Sequence, residues 1–179
     1  MDRRTLLGGS GVLLAAQALN LEAKARAMPS PARPEDLHFM QLAVDQAKEG
    51  DFPFGAVIVR DGVVLAEGHN SGKRLGDPTA HGEMMAIRAF LKDHKAEAFK
   101  ETTLYTSGEP CVMCMGAIIW CGIKRVVYAA SIAELATRIG QIDITSEQIA
   151  DATPFATVDI TGGVLSAAAM QLFPSGDKP

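Results

Sequence analysis

An Asp61-Gly62 pair set between two β-branched runs, in PFGAVIVRDGVVLAEGHN (residues 53–70), narrows the possible folds more than any other stretch of this 179-residue chain. Asp-Gly between apolar runs predicts a two-residue hairpin, because the favoured turn asks for positive φ at both central residues. A helical pattern leads into it: His38-Phe39, Leu42-Ala43 and Ala47 recur at three-to-four spacing from Glu35 and stop near Gly50. After a polar loop, SGKRLGDP, residues 79–92 read as a helix whose start is marked by Asp77, Pro78 and Thr79. TTLYTS and RVVYAA predict strands, separated by PCVMCMGAIIWC, a helix with proline in its first turn. IAELATRI predicts a short helix, FATVDI a last strand and VLSAAAMQLF a closing helix. Strands alternating with helices after a hairpin predict an α/β fold: a mixed sheet of five strands with helices on both faces, a three-layer α/β/α sandwich. One domain, residues 36–173, accounts for the pattern, with 28–35 a proline-rich lead-in and 174–179 a short tail.

Residues 1–27, MDRRTLLGGSGVLLAAQALNLEAKARA, are of another kind. A basic head (Arg3, Arg4), an apolar stretch and Ala25-Arg26-Ala27 follow the plan of an export signal cut after Ala27. Gly8, Gly9, Gly11, Gln17 and Asn20 make the segment too polar for a spanning helix, which needs about 20 apolar residues. The glycines also count against a helix of the mature protein, at about 1 kcal/mol each. The paired arginines before Leu6-Leu7 resemble a twin-arginine signal, so the expected route is the twin-arginine translocase and the expected location the periplasm. Four of the 17 basic and two of the 21 acidic residues fall in this segment, leaving 13 basic and 19 acidic, a net of −6. Phosphate-backbone binding rests on a lysine and arginine excess, so a nucleic-acid partner is not expected and a small ligand is.

Histidines stand at positions 38, 69, 81 and 94, and only His81 opens a helical stretch with a carboxylate two residues on. Thirty residues later comes Pro110-Cys111-Val112-Met113-Cys114. Together they spell H-x-E…P-C-x-x-C, the spacing of the zinc deaminases. Zinc takes imidazole and thiolate ligands, and a catalytic site uses three protein ligands with water in the fourth position. Cys111 and Cys114, one helical turn apart, face the same way, and a helix start favours thiolate. His81 completes one zinc site per chain, and Glu83 is left as the proton-moving group. A C-x-x-C is also the pattern of a redox pair, and free cysteines are often simply buried. Neither alternative accounts for His81 and Glu83 at a second helix start. Cys121, two turns past Cys114, reads as core.

PFGAVIVRDG, AEGHN, DPTAHGEMMAIR and TLYTSGEPCVMCMGAIIW resemble, in collinear order over residues 36–130, the cytidine/deoxycytidylate deaminase superfamily and especially its bacterial guanine deaminase branch. Yeast-type cytosine deaminases share HGE and TTLYT…PC-x-MC-x-GAII, and the tRNA adenosine deaminases share DPTAH-x-E and EPCVMC. The resemblance implies the cytidine deaminase-like form of the sandwich, with zinc on His81, Cys111 and Cys114 and the proton shuttle at Glu83. It implies that Asn70 hydrogen-bonds the substrate ring, that Phe54 and Trp120 are aromatic pocket residues, and that the backbone at Ala80 and at Glu109-Pro110 lines the pocket. It also implies a homodimer. The expected activity is hydrolytic deamination of a free nucleobase, guanine-like, with release of ammonia. The alternatives are another aminoheterocycle such as cytosine, tRNA adenosine, or a non-catalytic zinc-binding protein of the same fold. After Ala130 the chain departs from the guanine deaminase pattern: Asp143 alone stands for an acidic pair, and the tail is MQLFPSGDKP. Gly108 also stands where relatives often carry cysteine or leucine.

Overall fold

Asp61 and Gly62 take φ of 52° and 77°, the left-handed pair that the hairpin demands. The structure, a computed structural model, describes residues 27–173, so the signal reading of residues 1–27, all but Ala27, and the 174–179 tail lie outside the described residues. In chain order the elements are β1 (Ala27–Pro29), α1 (Asp36–Lys48), β2 (Gly55–Arg60), β3 (Val63–His69), α2 (Gly72–Leu75) and α3 (Gly82–Asp93). A 3-10 turn (Ala96–Glu101), β4 (Thr103–Gly108), α4 (Val112–Cys121), β5 (Arg125–Ala130), α5 (Ile132–Leu135), α6 (Ser146–Asp151), β6 (Val158–Thr161) and α7 (Ser166–Met170) complete the chain.

The sheet runs β1-β6-β5-β4-β2-β3. β2 is antiparallel to both β3 and β4, whereas β4, β5 and β6 are mutually parallel, as the helical crossovers between them require. The five expected strands are all present. A sixth, β1, adds a three-residue parallel edge to β6 within what read as signal and lead-in. In the hairpin, Ile58 pairs with Ala66 and Val59 with Val64, so Leu65 bulges from β3.

Alternation along the central strands divides the core in two. Leu104, Val126 and Tyr128 face α3 and α4, packing on Phe90, Met115 and Ile118. Tyr105, Val127 and Ala129 face the other layer, packing on Phe39, Met40 and Val44 of α1 and Ala169 of α7. The helices therefore cover both faces, as expected.

Two helix starts are displaced from the sequence reading. α3 begins at Gly82 rather than Thr79, because Asp77 Oδ1 accepts the Thr79 N–H (2.8 Å) and hydroxyl (2.6 Å) in a local turn instead of capping a helix. Pro110 precedes Cys111, the N-cap residue of α4, and so lies just outside that helix. The 71–78 stretch, read as loop, contains α2, and α6 has no counterpart among the expected elements.

Candidate active site

α3 and α4 start side by side at the ends of their preceding segments, and their N-cap residues are His81 and Cys111. Both take extended backbone (ψ 160° and 171°), and neither side chain makes a capping hydrogen bond. They turn toward each other instead. His81 Nδ1 lies 3.7 Å from Cys111 Sγ and 3.6 Å from Cys114 Sγ, and the three donor atoms all lie within 4.8 Å of one another. Tetrahedral zinc with Zn–N and Zn–S bonds of ordinary length separates nitrogen from sulfur by about 3.6 Å. The donor set therefore fits zinc in both kind and spacing, and a fourth corner remains for water. The cysteines are free, so the redox-pair reading finds no disulfide. Cys121 is partly buried against the core, as expected.

The three donor groups are electrostatically coupled. The Cys111 thiol is pulled down to about 4, first by the hydrogen bond from Cys114 and then by His81, against the opposing effect of burial. Cys114 moves the other way, because its proton serves Cys111 and it is buried. His81 is raised, chiefly by its hydrogen bond to Cys111. Glu83, on the first turn of α3 and 4% exposed, is raised by burial and then by the Cys111 charge.

A cleft of about 380 Å³ opens over this cluster, lined by His81, Glu83 and Cys111 at its floor and by Phe54, Asn70 and Glu109 on its walls. Asn70 follows β3 directly and is buried; its Oδ1 accepts the Gly72 N–H (3.2 Å), so its NH2 is the group left to offer a ligand. Phe54 meets Phe173 edge-on, with ring centroids 5.2 Å apart, so the end of the described chain backs the cleft wall rather than entering it. Phe52, exposed at the rim, and residues 139–142 complete the mouth.

Three expected pocket residues stand elsewhere. Trp120 is 78% exposed and lies against Phe155 (4.8 Å between centroids), away from the cleft. The reason is helical phase: nine residues beyond Cys111 is about two and a half turns, which is the opposite face of α4. Ala80 is fully buried, and its backbone is consumed by the 71–81 loop, accepting from Ser71 N–H (2.8 Å) and donating to Asp77 O (3.0 Å). Asp143 is exposed, one residue beyond the wall formed by Ile139–Ile142. The sequence reading did not single out the Glu109 side chain, Phe52 or the 139–142 wall.

Residues 33–130 match the family model described as the cytidine and deoxycytidylate deaminase zinc-binding region. This chain belongs to that family. Within the matched zinc-binding region, His81, Cys111 and Cys114 cluster as one zinc site. It is 50% identical over 97 residues to guanine deaminase of Bacillus subtilis (strain 168), covering 51% of this chain and 62% of that protein. It is 36% identical over 97 residues to the tRNA-specific adenosine deaminase of Aquifex aeolicus (strain VF5), covering 52% and 64%. The matched stretches thus span somewhat under two thirds of either relative. Among solved structures it resembles NE0047 in complex with 2,6-diaminopurine, at 26% identity and a TM-score of 0.64 over 82% of this chain and 81% of that one.

Proposed function

We propose that this chain is a hydrolytic deaminase of a small free heterocycle, with a guanine-like purine as the leading substrate. The observation that carries the reading is the buried Glu83 carboxyl beside the His81-Cys111-Cys114 donor set, at the floor of a cleft walled by Phe54 and Asn70. When bound, zinc supplies an acidified water at neutral pH. Glu83 takes a proton from the attacking water, gives it to a ring nitrogen, and delivers the second proton to the departing ammonia. Asn70 would hold the ring edge and Phe54 its face, so that the amino-bearing carbon faces Glu83 and the residues that would hold the metal. The cleft volume suits a single bicyclic ring, and the similar structure of NE0047 holds 2,6-diaminopurine.

The likeness to tRNA-specific adenosine deaminases supports a second reading, deamination of adenosine in tRNA. The net charge of −4 weighs against it, because a polyanionic substrate calls for a basic surface. Ammonia release from purines, pyrimidines, pterins and an anticodon stem-loop RNA separates the two. Guanine-like turnover supports the first reading, RNA-only turnover the second, and silence from a zinc-loaded protein overturns both. Export through the twin-arginine route to the periplasm also belongs to the proposal; the N-terminal sequence of the protein recovered from a periplasmic fraction tests it, with Met28 expected first. A homodimer is the proposed assembly, supported by the exposed Trp120–Phe155 pair and checked by sedimentation.

A further inference from the structure

Glu109 is a buried carboxylate, 5% exposed, that no lysine, arginine or histidine pairs among the described residues. Its two oxygens are occupied by two backbone donors. Oε2 accepts the N–H of Ile132 (2.8 Å), the first residue of α5, and Oε1 accepts the N–H of Ser146 (2.7 Å), the first residue of α6. Both helices carry complete capping boxes, Ser131 with Glu134 and Thr145 with Gln148, which serve the N-cap and third-position donors. The first- and second-position N–H groups of each helix remain, and one side chain takes both first-position donors. Ser146 Oγ reinforces the contact by donating to Pro110 O (3.3 Å).

Between these two anchor points lies the segment that supplies Ile139, Gly140, Gln141 and Ile142 to the cleft. Backbone groups of residues 140–143 make no hydrogen bond to the sheet or to the helices among the described residues; the single bond there is local, from Ile144 N–H to Ile142 O (2.8 Å). A wall without a ladder of its own is held at its ends. We infer that Glu109 is a positioning residue: by fixing the starts of α5 and α6 on one carboxylate, it sets the place of the 139–142 wall and thereby the grip on the heterocycle. This rests on the proposed function only for the nature of that ligand. Its effect falls on binding, because the Glu109 carboxylate bonds Ile132 and Ser146 rather than Glu83 or the three metal donors.

The test uses the full zinc-loaded chain. Glu109→Gln offers one carbonyl oxygen for two donors and turns an amide N–H toward the other. Ser146→Pro removes the N–H donor together with the hydroxyl that reaches Pro110 O, so Ser146→Ala, which loses the hydroxyl alone, is its control. Proline is tolerated at a first helical position, and Thr145 already has the extended backbone (ψ 160°) that a residue before proline prefers. Loss of one charge-assisted bond predicts exchange faster by about tenfold in both variants at the hydrogen-bonded amides of residues 137–139, 144 and 145. It likewise predicts a KM for the deaminated base raised about tenfold, with kcat within about threefold and one zinc per chain retained. Unchanged exchange in either folded variant overturns the inference, as does a fall in kcat or zinc content with KM unchanged. Should Glu109→Gln fail to fold, Ser146→Pro decides alone. The exchange and metal measurements need no substrate, so they stand even if the wild-type protein deaminates nothing in the panel and the functional reading falls.

Discussion

Phe54 Cε1 lies 2.8 Å from the point that a β-carbon would occupy on Gly108. The ring thus fills the side-chain space that glycine leaves empty at the end of β4, with Leu135 Cδ1 close behind at 3.1 Å. Gly108→Leu must push Phe54 off Phe173 and toward the cleft. The expected cost is about 1–3 kcal/mol of stability, with a higher KM for any planar substrate. Melting curves and KM values for Gly108→Ala and Gly108→Leu should worsen in that order; a folded leucine variant with native KM would show that the ring does not depend on the glycine.

Glu83→Gln keeps the shape of the buried side chain and removes its proton traffic. Turnover should fall by roughly 10²–10⁴-fold while zinc stays at one per chain. Metal analysis alongside kcat checks both halves, and near-native turnover would end the assigned role.

Zinc ties the starts of α3 and α4 together. Chelation should therefore lower the melting temperature, and added zinc should restore it; at a thousandfold excess of metal over its Kd the linked stabilisation is roughly 4 kcal/mol. Cys114→Ser should lose stoichiometric zinc and become insensitive to the chelator. An equal melting temperature with and without metal in the native chain would speak against a cross-linking role.

Asp36 anchors the opposite layer. Its carboxylate receives Arg125 on both oxygens (2.7 Å each), Tyr105 hydroxyl (2.9 Å) and the Arg33 N–H (2.7 Å). Burial pushes its pKa up, but Arg125, the Arg33 amide and Tyr105 together bring it below the ordinary value. A lowered folded-state pKa adds stability above the unfolded value, near 3.9, and that stability is lost as pH falls through the folded value. Asp36→Asn should cost about 3–5 kcal/mol at neutral pH, since it strands Arg125 in the interior. The gap between variant and native chain should close in acid; denaturant melts at pH 7 and at about pH 3 measure it.

The sheet and the metal centre were legible in the sequence because their signals are local. Period-two runs, Asp61-Gly62 and the H-x-E…P-C-x-x-C spacing each lie within one or two elements. Trp120 was misplaced because a match of motif position says nothing about helical phase beyond the first turns of α4. α6 left a readable trace, Thr145-x-x-Gln148, though without an apolar period long enough to mark six residues as a helix. Glu109 was expected along the pocket and lines it, but the tie made by its side chain was beyond reach for a different reason. Its partners lie 23 and 37 residues away, and only the folded chain brings two helix starts to one carboxylate.

β1 contributes three residues, parallel to β6, and the Ser30 N–H extends the pairing to Ile160 O (2.8 Å). A cut after Ala27 removes only the Ala27–Val158 pair and keeps the remainder of that seam. Trimming the protein to Pro34 for expression would instead bare the whole Val158–Thr161 margin, and an uncovered strand recruits neighbours. Such a shortened protein should clump on concentration even while its metal centre stays intact, so low yield there would report a missing selvedge, not a failed enzyme.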